Sequence, residues 1–454
     1  MNFSIETDEA RRRFAREVVD RLREEGFQAL WAGGCVRDLL LGVEPTDYDV
    51  ATDANPEQAL KLFRRAVAVG ISYGVVRALG PKGSGEVEIA TFRRDGDYLD
   101  GRRPESVTFG SAREDASRRD FTINGIFLDP VSDEIHDYVG GRQDIAARVL
   151  RAIGDPSERF KEDKLRLLRA VRFAARFDLE IEARTREALL QMADQVVVVA
   201  PERIAQELRK MLVHRSRTRA LNLMLETGLL AAVLPELVVM KGLYQGKPVQ
   251  PDGDLWDHTL FALDHLPTNP SFALVFATLL HDVGKPGAKG LQDGRVTFHQ
   301  HEIIGRRIAE SIGRRLKLSN IERERIEWLV ENHQALGEAT RLREARLKKL
   351  LAMEGIDELL ALHRADAMAT NGDTTQVDYC DGYLREQPQG PINPPDLITG
   401  HDLVRHGLAP GPLFSTILEA VREAQLDRVV LSKREALAWI DQKLLAGTWS
   451  AEKT

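Results

Sequence analysis

Two aspartates separated by one residue, Asp47 and Asp49, offer the clearest chemistry in the chain. If Tyr48 faces the core of a strand, the two carboxylates project together on the opposite face. Carboxylates held side by side repel one another unless a cation lies between them. A pair of Mg²⁺ ions roughly 4 Å apart would bind both groups and would activate a hydroxyl for in-line attack on a phosphate. Glu88, on a later strand, could supply a third carboxylate, although the same acids would also suit a solvated strand end.

Glycines and arginines near these acids suit a bound phosphate. Gly33 and Gly34 follow a predicted strand and precede a predicted helix that carries Arg37 in its first turn. Paired glycines let the backbone approach a phosphate closely, and a helix N-terminus adds N–H donors. Arg119 and Asp120 precede an apolar strand, where an arginine can clamp a triphosphate or a ribose. Each feature alone suits an ordinary turn, but in combination with the aspartate pair they predict a nucleotide site.

A ridge of charged residues follows at helical spacing. Asp163, Arg166, Arg169 and Arg172 recur at every third residue, and their neighbours are mostly apolar. The spacing predicts one amphipathic helix with the ridge on one face. A solvated face of weak salt bridges is the ordinary alternative. Residues 142–176 contain ten Lys and Arg but five Asp and Glu, and this local surplus of positive charge suits a nucleotide or an RNA end.

Histidines and aspartates in the second half of the chain suit a metal centre. Six of the eleven histidines fall between positions 258 and 333. Each could also be an ordinary core or surface histidine, but the set offers nitrogen and oxygen ligands for a divalent cation. The predicted ligands are His258, His281, Asp282 and Asp366, with His301 and His333 completing a second position.

Composition limits the classes to which the protein can belong. A chain of 454 residues predicts two to four domains. Its net charge of −7 excludes a protein that coats nucleic acid or an anionic membrane. Two distant cysteines exclude a disulfide framework and a cysteine-based zinc site. The N-terminus lacks the apolar core of a signal peptide, and no apolar run is long enough to span a membrane, so the predicted location is the cytoplasm.

The predicted elements change in character along the chain. Short apolar runs between turn signals predict strands and two helices up to about residue 155, and helical spacing dominates afterwards. Segments rich in glycine, proline or aspartate, residues 241–254 and 381–396, predict connectors. The predicted domains are residues 1–155, 156–245, 250–372 and 373–454.

The motifs GGCVRD, DYD, VEIATFR, RRDFTING and EDKLRLLRAVRFAARF occur in this order. The series resembles the class II tRNA nucleotidyltransferase and bacterial poly(A) polymerase superfamily, over residues 28–215. The resemblance implies an α+β fold: a polymerase-β-like nucleotidyltransferase head with a small mixed sheet, then an all-helical neck, HD body and tail. It also implies that Asp47 and Asp49 hold catalytic Mg²⁺, that Gly34 and Arg37 meet the nucleotide phosphates, and that Arg119 with Asp120 lies against the ribose and triphosphate.

In the resembled family the charged ridge acts as a protein template for the incoming base. Asp163 and Arg166 would bond the Watson–Crick edge of C or A, Glu162 would hold the arginine, and Arg169 with Arg172 would face the triphosphate. The ordered histidines resemble the HD phosphohydrolase superfamily, which implies a second divalent metal.

The resemblance implies that CTP and ATP are used to add CCA to the 3′ end of tRNA. The segment VAVGISYGVVRAL is more similar to the tRNA-specific enzymes than to poly(A) polymerases, and the loop over residues 92–122 has the full length of CCA-adding or A-adding relatives. The alternatives are an A-adding tRNA nucleotidyltransferase, a poly(A) polymerase, an HD phosphohydrolase with an RNA-binding N-terminal domain, and a non-catalytic RNA-binding protein. The sequence predicts no membrane partner and leaves the oligomeric state open.

Overall fold

A mixed sheet of seven strands organises the N-terminal part of the chain. In the computed structural model, the described residues are 2–70, 74–96, 106–244, 253–292, 295–386 and 391–449. The strands of this part, in chain order, are β1 (Ala29–Ala32), β2 (Asp49–Thr52), β3 (Ala66–Gly70), β4 (Val75–Leu79), β5 (Glu86–Thr91), β6 (Arg93–Asp95), β7 (Val107–Phe109), β8 (Ile126–Leu128), β9 (Ile135–Asp137), β10 (Val149–Leu150) and β11 (Glu180–Ile181). The order across the sheet is β3-β4-β5-β2-β1-β8-β9, while β6 pairs with β7 and β10 with β11.

The register of this sheet places acidic residues of two strands side by side. Strands β2 and β5 run parallel with Asp49 opposite Glu88, and β1 runs antiparallel to β2. On β5, Val87 and Ile89 are buried whereas Glu88 is only half-buried. Because successive side chains of a strand point to opposite faces, the apolar residues face the core and the acids share the other face.

Helices of the first unit cover the sheet and continue beyond it. The chain divides into two compact units, Met1–Val238 and Val239–Thr454. The helices of the first are α1 (Asn2–Glu24), α2 (Gly34–Leu40), α3 (Pro56–Leu62), α4 (Ala112–Ser117), α5 (Gly141–Ala146), α6 (Pro156–Glu162), α7 (Leu165–Phe177), α8 (Ala183–Met192), α9 (Pro201–Leu212), α10 (Arg217–Glu226), α11 (Leu229–Val233) and α12 (Pro235–Val238), with 3₁₀ turns at Thr122–Asn124 and Ala193–Val198.

The described part of the second unit is largely helical. Its helices are α13 (Leu255–Asp264), α14 (Phe272–Leu280), α15 (Lys285–Ala288), α16 (His301–Arg315), α17 (Asn320–Asn332), α18 (Glu344–Leu351), α19 (Ile356–Thr370), α20 (Thr375–Glu386), α21 (Gly400–Arg405), α22 (Leu413–Leu426) and α23 (Lys433–Leu445), with a 3₁₀ turn at Ala339–Arg341 and a hairpin of β12 (Gly290–Gln292) and β13 (Arg295–Thr297). Helix α14 is apolar and buried along almost its whole length. His281 and Asp282, which follow its C-terminal end, therefore also lie in the interior.

The predicted α+β class, with a small mixed sheet followed by helices, is confirmed. The finer domain limits remain a prediction. Parts of the two predicted connectors, residues 245–252 and 387–390, lie outside the described residues, as do residues 97–105 of the long head loop and residues 71–73. Within the described ranges, no helix combines the length and the hydropathy that a membrane span requires.

Candidate active site and metal centre

The aspartate pair stands at the start of β2 as the sequence predicts. Tyr48 is buried, 2% exposed, and its ring packs 4.8 Å from that of Trp31. Asp47 and Asp49, on either side of it, are both exposed. The alternation therefore brings the two carboxylates to one side of the strand, away from the core.

Asp49 lies next to other acids and lines an open cavity. Its side chain reaches solvent, yet protein atoms surround much of it. This desolvation, followed by the negative charge of Glu88, raises the pKa of Asp49 to about 6, although Arg119 opposes the shift. Glu88 also accepts a hydrogen bond from Arg77 at 2.8 Å. Among the described residues, Asp47, Asp49 and Glu88 are not one of the three-ligand groups whose ligand atoms lie within 4.8 Å of one another.

The cavity beside Asp49 has a volume of about 490 Å³. Six arginines and three aspartates line it, so positive charge is in excess there. The lining residues are Gly33, Gly34, Arg37, Asp49, Arg118, Arg119, Asp120, Asn124, Asp163, Leu165, Arg166, Arg169, Phe173 and Arg203. The cavity brings together nine of the residues predicted for the nucleotide site, whereas Asp47, Glu88, Glu162 and Arg172 are not in its lining.

The glycine turn after β1 makes room for an arginine. Gly33 has a φ of +68°, and a Cβ there would lie 2.6 Å from Nη1 of Arg119. Only glycine suits both requirements. Arg37, in the helix that follows, is buried and donates to Asp38 at 2.6 and 2.8 Å and to Oδ1 of Asn124 at 2.7 Å. Arg37 therefore lines the cavity, and its hydrogen bonds to Asp38 and Asn124 stabilise the glycine turn.

Asp120 fixes the arginine that faces the triphosphate in the predicted site. Its Oδ2 accepts bonds of 2.8 and 2.6 Å from Arg169, and its Oδ1 accepts one of 2.9 Å from Asn124. Burial alone would raise the pKa of Asp120, but Arg169 and the bond from Asn124 outweigh it and hold that pKa well below its usual range. Asp120 is thus ionised, and its carboxylate connects Asn124 with Arg169 of helix α7.

The residues predicted to read a base lie where α6 ends and α7 begins. Asp163 accepts a two-pronged contact from Arg203, at 3.2 and 2.8 Å. Arg166 donates to Glu162 at 2.5 Å, to the carbonyl oxygen of Arg159 at 2.9 Å and to that of Arg118 at 3.2 Å. The predicted contact between Glu162 and Arg166 is therefore present.

The prediction of a single helix carrying all four charged residues of the ridge is wrong. Helix α6 ends at Glu162, and Asp163 has extended backbone angles, φ −147° and ψ 106°. The break arises because Oδ1 of Asp163 accepts the backbone N–H of Leu165 at 3.0 Å, a local bond that competes with helical pairing. At the other end of the ridge, Arg172 is buried and pairs with Glu207 of α9 at 2.5 Å.

Sequence reasoning missed several residues of this site: Asp115, Asn124, Phe173 and Arg203. Asp115 is the most buried of them, and it binds both arginines of the RRD motif. A usable signal was present, because Asp115 precedes Arg118 and Arg119 by three and four residues, the spacing at which side chains meet on a helix. Arg203 carried no such signal, since its contact with Asp163 spans 40 positions.

The predicted metal ligands of the second unit form two groups of three. His258, His281 and Asp366 form one, and Asp282, His301 and His333 form the other, with the ligand atoms of each group within 4.8 Å of one another. Asp282 also lies near the first group, since its Oδ2 is 3.2 Å from Nε2 of His281. All six predicted ligands therefore meet around one buried aspartate.

The histidines of this centre present the atom that a metal needs. Nδ1 of His281, His301 and His333 lies 2.7–2.8 Å from a backbone carbonyl oxygen. In the neutral imidazole these bonds assign the ring proton to Nδ1 and leave a lone pair on Nε2, which is the arrangement found in metal-bound histidines. Nε2 of His301 then cannot donate to Oδ1 of Asp282, 3.3 Å away, and this buried oxygen has no hydrogen-bond donor. The donor set fits a divalent cation.

The charges at this centre shift its proton equilibria. Burial lowers the pKa of His281, but the carboxylates of Asp282 and Asp366 outweigh it and raise that pKa to about 10. Burial, with the charge of His281, lowers the pKa of His333 to about 4. Lys285 binds Oδ2 of Asp282 at 2.6 Å. The anionic Asp282 thus interacts with two cationic side chains, His281 and Lys285.

Family models match three segments of the chain in succession. The poly(A) polymerase head domain matches residues 29–151, a probable RNA- and SrmB-binding site of polymerase A matches residues 178–240, and the HD domain matches residues 262–371. Among curated relatives, the CCA-adding enzyme of Geobacillus stearothermophilus is 42% identical over 221 residues, 48% of this chain and 54% of the relative. That of Limosilactobacillus fermentum is 42% identical over 226 residues, 50% and 56% of the two chains. The chain thus spans about half the length of the curated relatives it matches.

Solved structures cover more of the chain. The crystal structure of the Bacillus stearothermophilus CCA-adding enzyme in complex with CTP aligns with a TM-score of 0.74 and 26% identity, over 96% of this chain and 98% of that one. The Thermotoga maritima CCA-adding enzyme complexed with tRNA has the same fold, with a TM-score of 0.59 and 21% identity over 95% of each chain. Two segments of the chain thus match family models of polymerase A and a third matches the HD domain, and the fold of the chain is that of solved CCA-adding enzymes.

Proposed function

We propose that the protein adds CCA to the 3′ end of tRNA from CTP and ATP, by Mg²⁺-dependent nucleotidyl transfer in the cytoplasm. The observation that carries the proposal is the 490 Å³ cavity, in which Asp49 of β2 and the pair Asp163 and Arg166 line the same volume. One volume therefore contains groups for phosphate chemistry and groups for reading a base. The relatives support the same function, since they are CCA-adding enzymes and one was solved with CTP.

The acids of the sheet take the chemical role in this proposal. Asp47 and Asp49 hold Mg²⁺, and Glu88 adds negative charge next to Asp49. An ion held there would supply activation of the attacking 3′-hydroxyl and stabilisation of the charge on the transferred phosphate. The matched head-domain family implies divalent metal use. Burial and then the negative charge of Glu88 raise the pKa of Asp49, and a cation would offset the charge of the neighbouring acid.

The arginines bind and orient the nucleotide. Arg118, Arg119 and Arg169 line the cavity on the side of the RRD motif and α7, where guanidinium groups suit the oxygens of a triphosphate. Gly33 and Gly34 let the phosphates approach the backbone. Arg172 does not take part in this proposal, because it lies outside the cavity.

Base choice follows from donor and acceptor patterns. Cytosine and adenine each present an exocyclic amino donor beside a ring-nitrogen acceptor on the Watson–Crick edge, whereas uracil and guanine present the reverse pair. The carboxylate of Asp163 can accept from the amino group, and Arg166 can donate to the ring nitrogen. Neither side chain can supply the reversed pattern, so C and A are selected without a nucleic-acid template.

The proposal is tested with tRNAs that end before CCA, after C and after CC. The purified protein is given CTP and ATP, separately and together, and the 3′ ends are sequenced. We expect two C residues followed by one A. Asp49→Asn should abolish addition, whereas Asp53→Asn, an exposed aspartate beyond the other end of β2 and outside the cavity, should retain it. Addition of A alone, or of long A tails, would contradict CCA addition and favour the corresponding relatives.

The HD centre supports a second property, which we propose as divalent-cation binding by the second unit. The supporting observation is the pair of three-ligand groups, since Asp282 belongs to one group and lies 3.2 Å from His281 of the other. Phosphoester hydrolysis at this centre is the alternative activity that its ligand types would allow.

A further inference from the structure

One buried carboxylate holds two arginines of the nucleotide cavity. Asp115 is 1% exposed. Its Oδ1 accepts bonds of 2.8 and 2.6 Å from Nε and Nη2 of Arg118, and its Oδ2 accepts bonds of 3.1 and 2.9 Å from Nε and Nη2 of Arg119. Each carboxylate oxygen thus accepts from Nε and Nη2 of one arginine.

Local helix geometry places this carboxylate. Helix α4 begins with a capping box, in which Ser111 and Glu114 bond each other's backbone N–H groups. This cap fixes the start of a six-residue helix, on which Asp115 faces residues three and four positions later. Two arginines in succession would otherwise repel each other and occupy many rotamers. The shared carboxylate neutralises one of the two charges and holds both guanidinium groups in place.

The two arginines are connected to the rest of the proposed site. The carbonyl oxygen of Arg118 accepts a bond from Nη2 of Arg166 at 3.2 Å. Arg119 donates to the carbonyl oxygen of Asn124 at 3.2 Å, and its guanidinium lies 5.1 Å from the ring centre of Phe127. The charge of Arg119 also acts on the pKa of Asp49. A shift of Arg119 would therefore change the electrostatics at Asp49, and a shift of the Arg118 backbone would move an acceptor of Arg166.

We propose that Asp115 is a positioning residue for nucleotidyl transfer, which sets the places of Arg118 and Arg119 against the triphosphate without touching the substrate. The inference rests on the proposed function. Asp115 is separate from the acids to which metal binding is assigned, and its burial prevents direct contact with a nucleotide.

The test compares Asp115→Asn with Asp144→Asn. Asp144 is a matched control, because it too is a buried aspartate of the head, bonded to Thr122 at 2.7 Å and to Arg151 at 3.1 Å, and it lies outside the cavity. An asparagine at position 115 replaces one acceptor with an N–H donor that faces an arginine. We expect KM for CTP to rise about tenfold with a smaller fall in kcat, and the dissociation constant for CTP from equilibrium dialysis to rise in parallel. The control should lower Tm and leave KM unchanged.

A second variant keeps the test decisive if Asp115→Asn does not fold. Arg118→Lys retains the positive charge in the cavity but offers one nitrogen to Oδ1 in place of two, so KM for CTP should again rise. Unchanged KM in either variant would overturn the positioning role, because it would mean that charge without fixed geometry is sufficient. If the wild-type protein binds CTP but transfers no nucleotide, the proposed function fails, while dialysis still tests the role of Asp115 in binding.

Discussion

Arg166 is the residue at which the structure and the proposed base choice meet most directly. Its guanidinium is buried and bonded to Glu162 and to two backbone carbonyls. Such a side chain has few rotamers left, so its remaining donors have a fixed direction. Fixed direction is what separates a group that reads a base from one that only attracts an anion.

Replacing Arg166 with alanine removes the donor for the ring nitrogen of C and A. We expect the ratio of kcat/KM for CTP to that for UTP to fall by about tenfold or more, while the metal content stays the same. The measurement is single-nucleotide addition with each triphosphate. Arg184→Ala is the control, since Arg184 is exposed and pairs loosely with Asp155 at 3.4 Å. An unchanged ratio in the Arg166 variant would reject the base-reading role.

A buried ion pair joins helices α7 and α9. Arg172 of α7 and Glu207 of α9 form an ion pair of 2.5 Å, in which both side chains are almost completely buried. Arg172 also lies 4.2 Å from the ring centre of Phe173. These contacts make Arg172 a link between α7 and α9, while Arg169, one turn earlier, lines the cavity.

Glu207→Gln leaves the charge of Arg172 buried without its carboxylate. The free energy of unfolding should fall by about 3 kcal/mol, as measured by urea denaturation. Glu226→Gln, in an ion pair with Arg186 that is about half exposed, should change it by less than about 1 kcal/mol. KM for CTP should stay at the wild-type value in the folded Glu207 variant. A raised KM with unchanged stability would contradict this structural role and would show that Arg172 acts in the nucleotide site.

The elements themselves were largely predictable, and the contacts between distant elements were not. Alternation around Tyr48 predicted the side on which Asp47 and Asp49 lie, because that periodicity is local. The break at Asp163 was missed because no glycine or proline marks it; a local bond to Leu165 and a distant contact with Arg203 stabilise it. The register that sets Glu88 against Asp49 is likewise a property of the whole sheet.

At the scale of the whole molecule, the described residues contain two sets of metal-binding candidates in two separate units. The acids of the sheet belong to the first unit, and the histidine-rich centre belongs to the second. No residue is shared between the sets. Substitutions in one should therefore leave the intrinsic chemistry of the other unchanged.

Asp282→Asn tests this separation. Both groups of three ligands lie around Asp282, so loss of its charge should weaken both cation positions together. We expect the divalent metal that co-purifies with the chain, measured by plasma mass spectrometry after dialysis, to fall to a trace. Nucleotide addition in the presence of Mg²⁺ should continue at close to the wild-type rate. Retention of metal in the variant would show that Asp282 is not a ligand, and loss of nucleotide addition would show that the units are functionally coupled.

The burial of the two cysteines makes the protein suitable for labelling at a single introduced cysteine. Cys35 and Cys380 are both buried, and burial raises the pKa of Cys35 to about 12 and that of Cys380 to about 11. Neither offers a thiolate to a reagent near neutral pH. A single cysteine introduced at an exposed position would therefore take a fluorophore or spin label alone, and the natural sequence already serves as the background for site-specific spectroscopy.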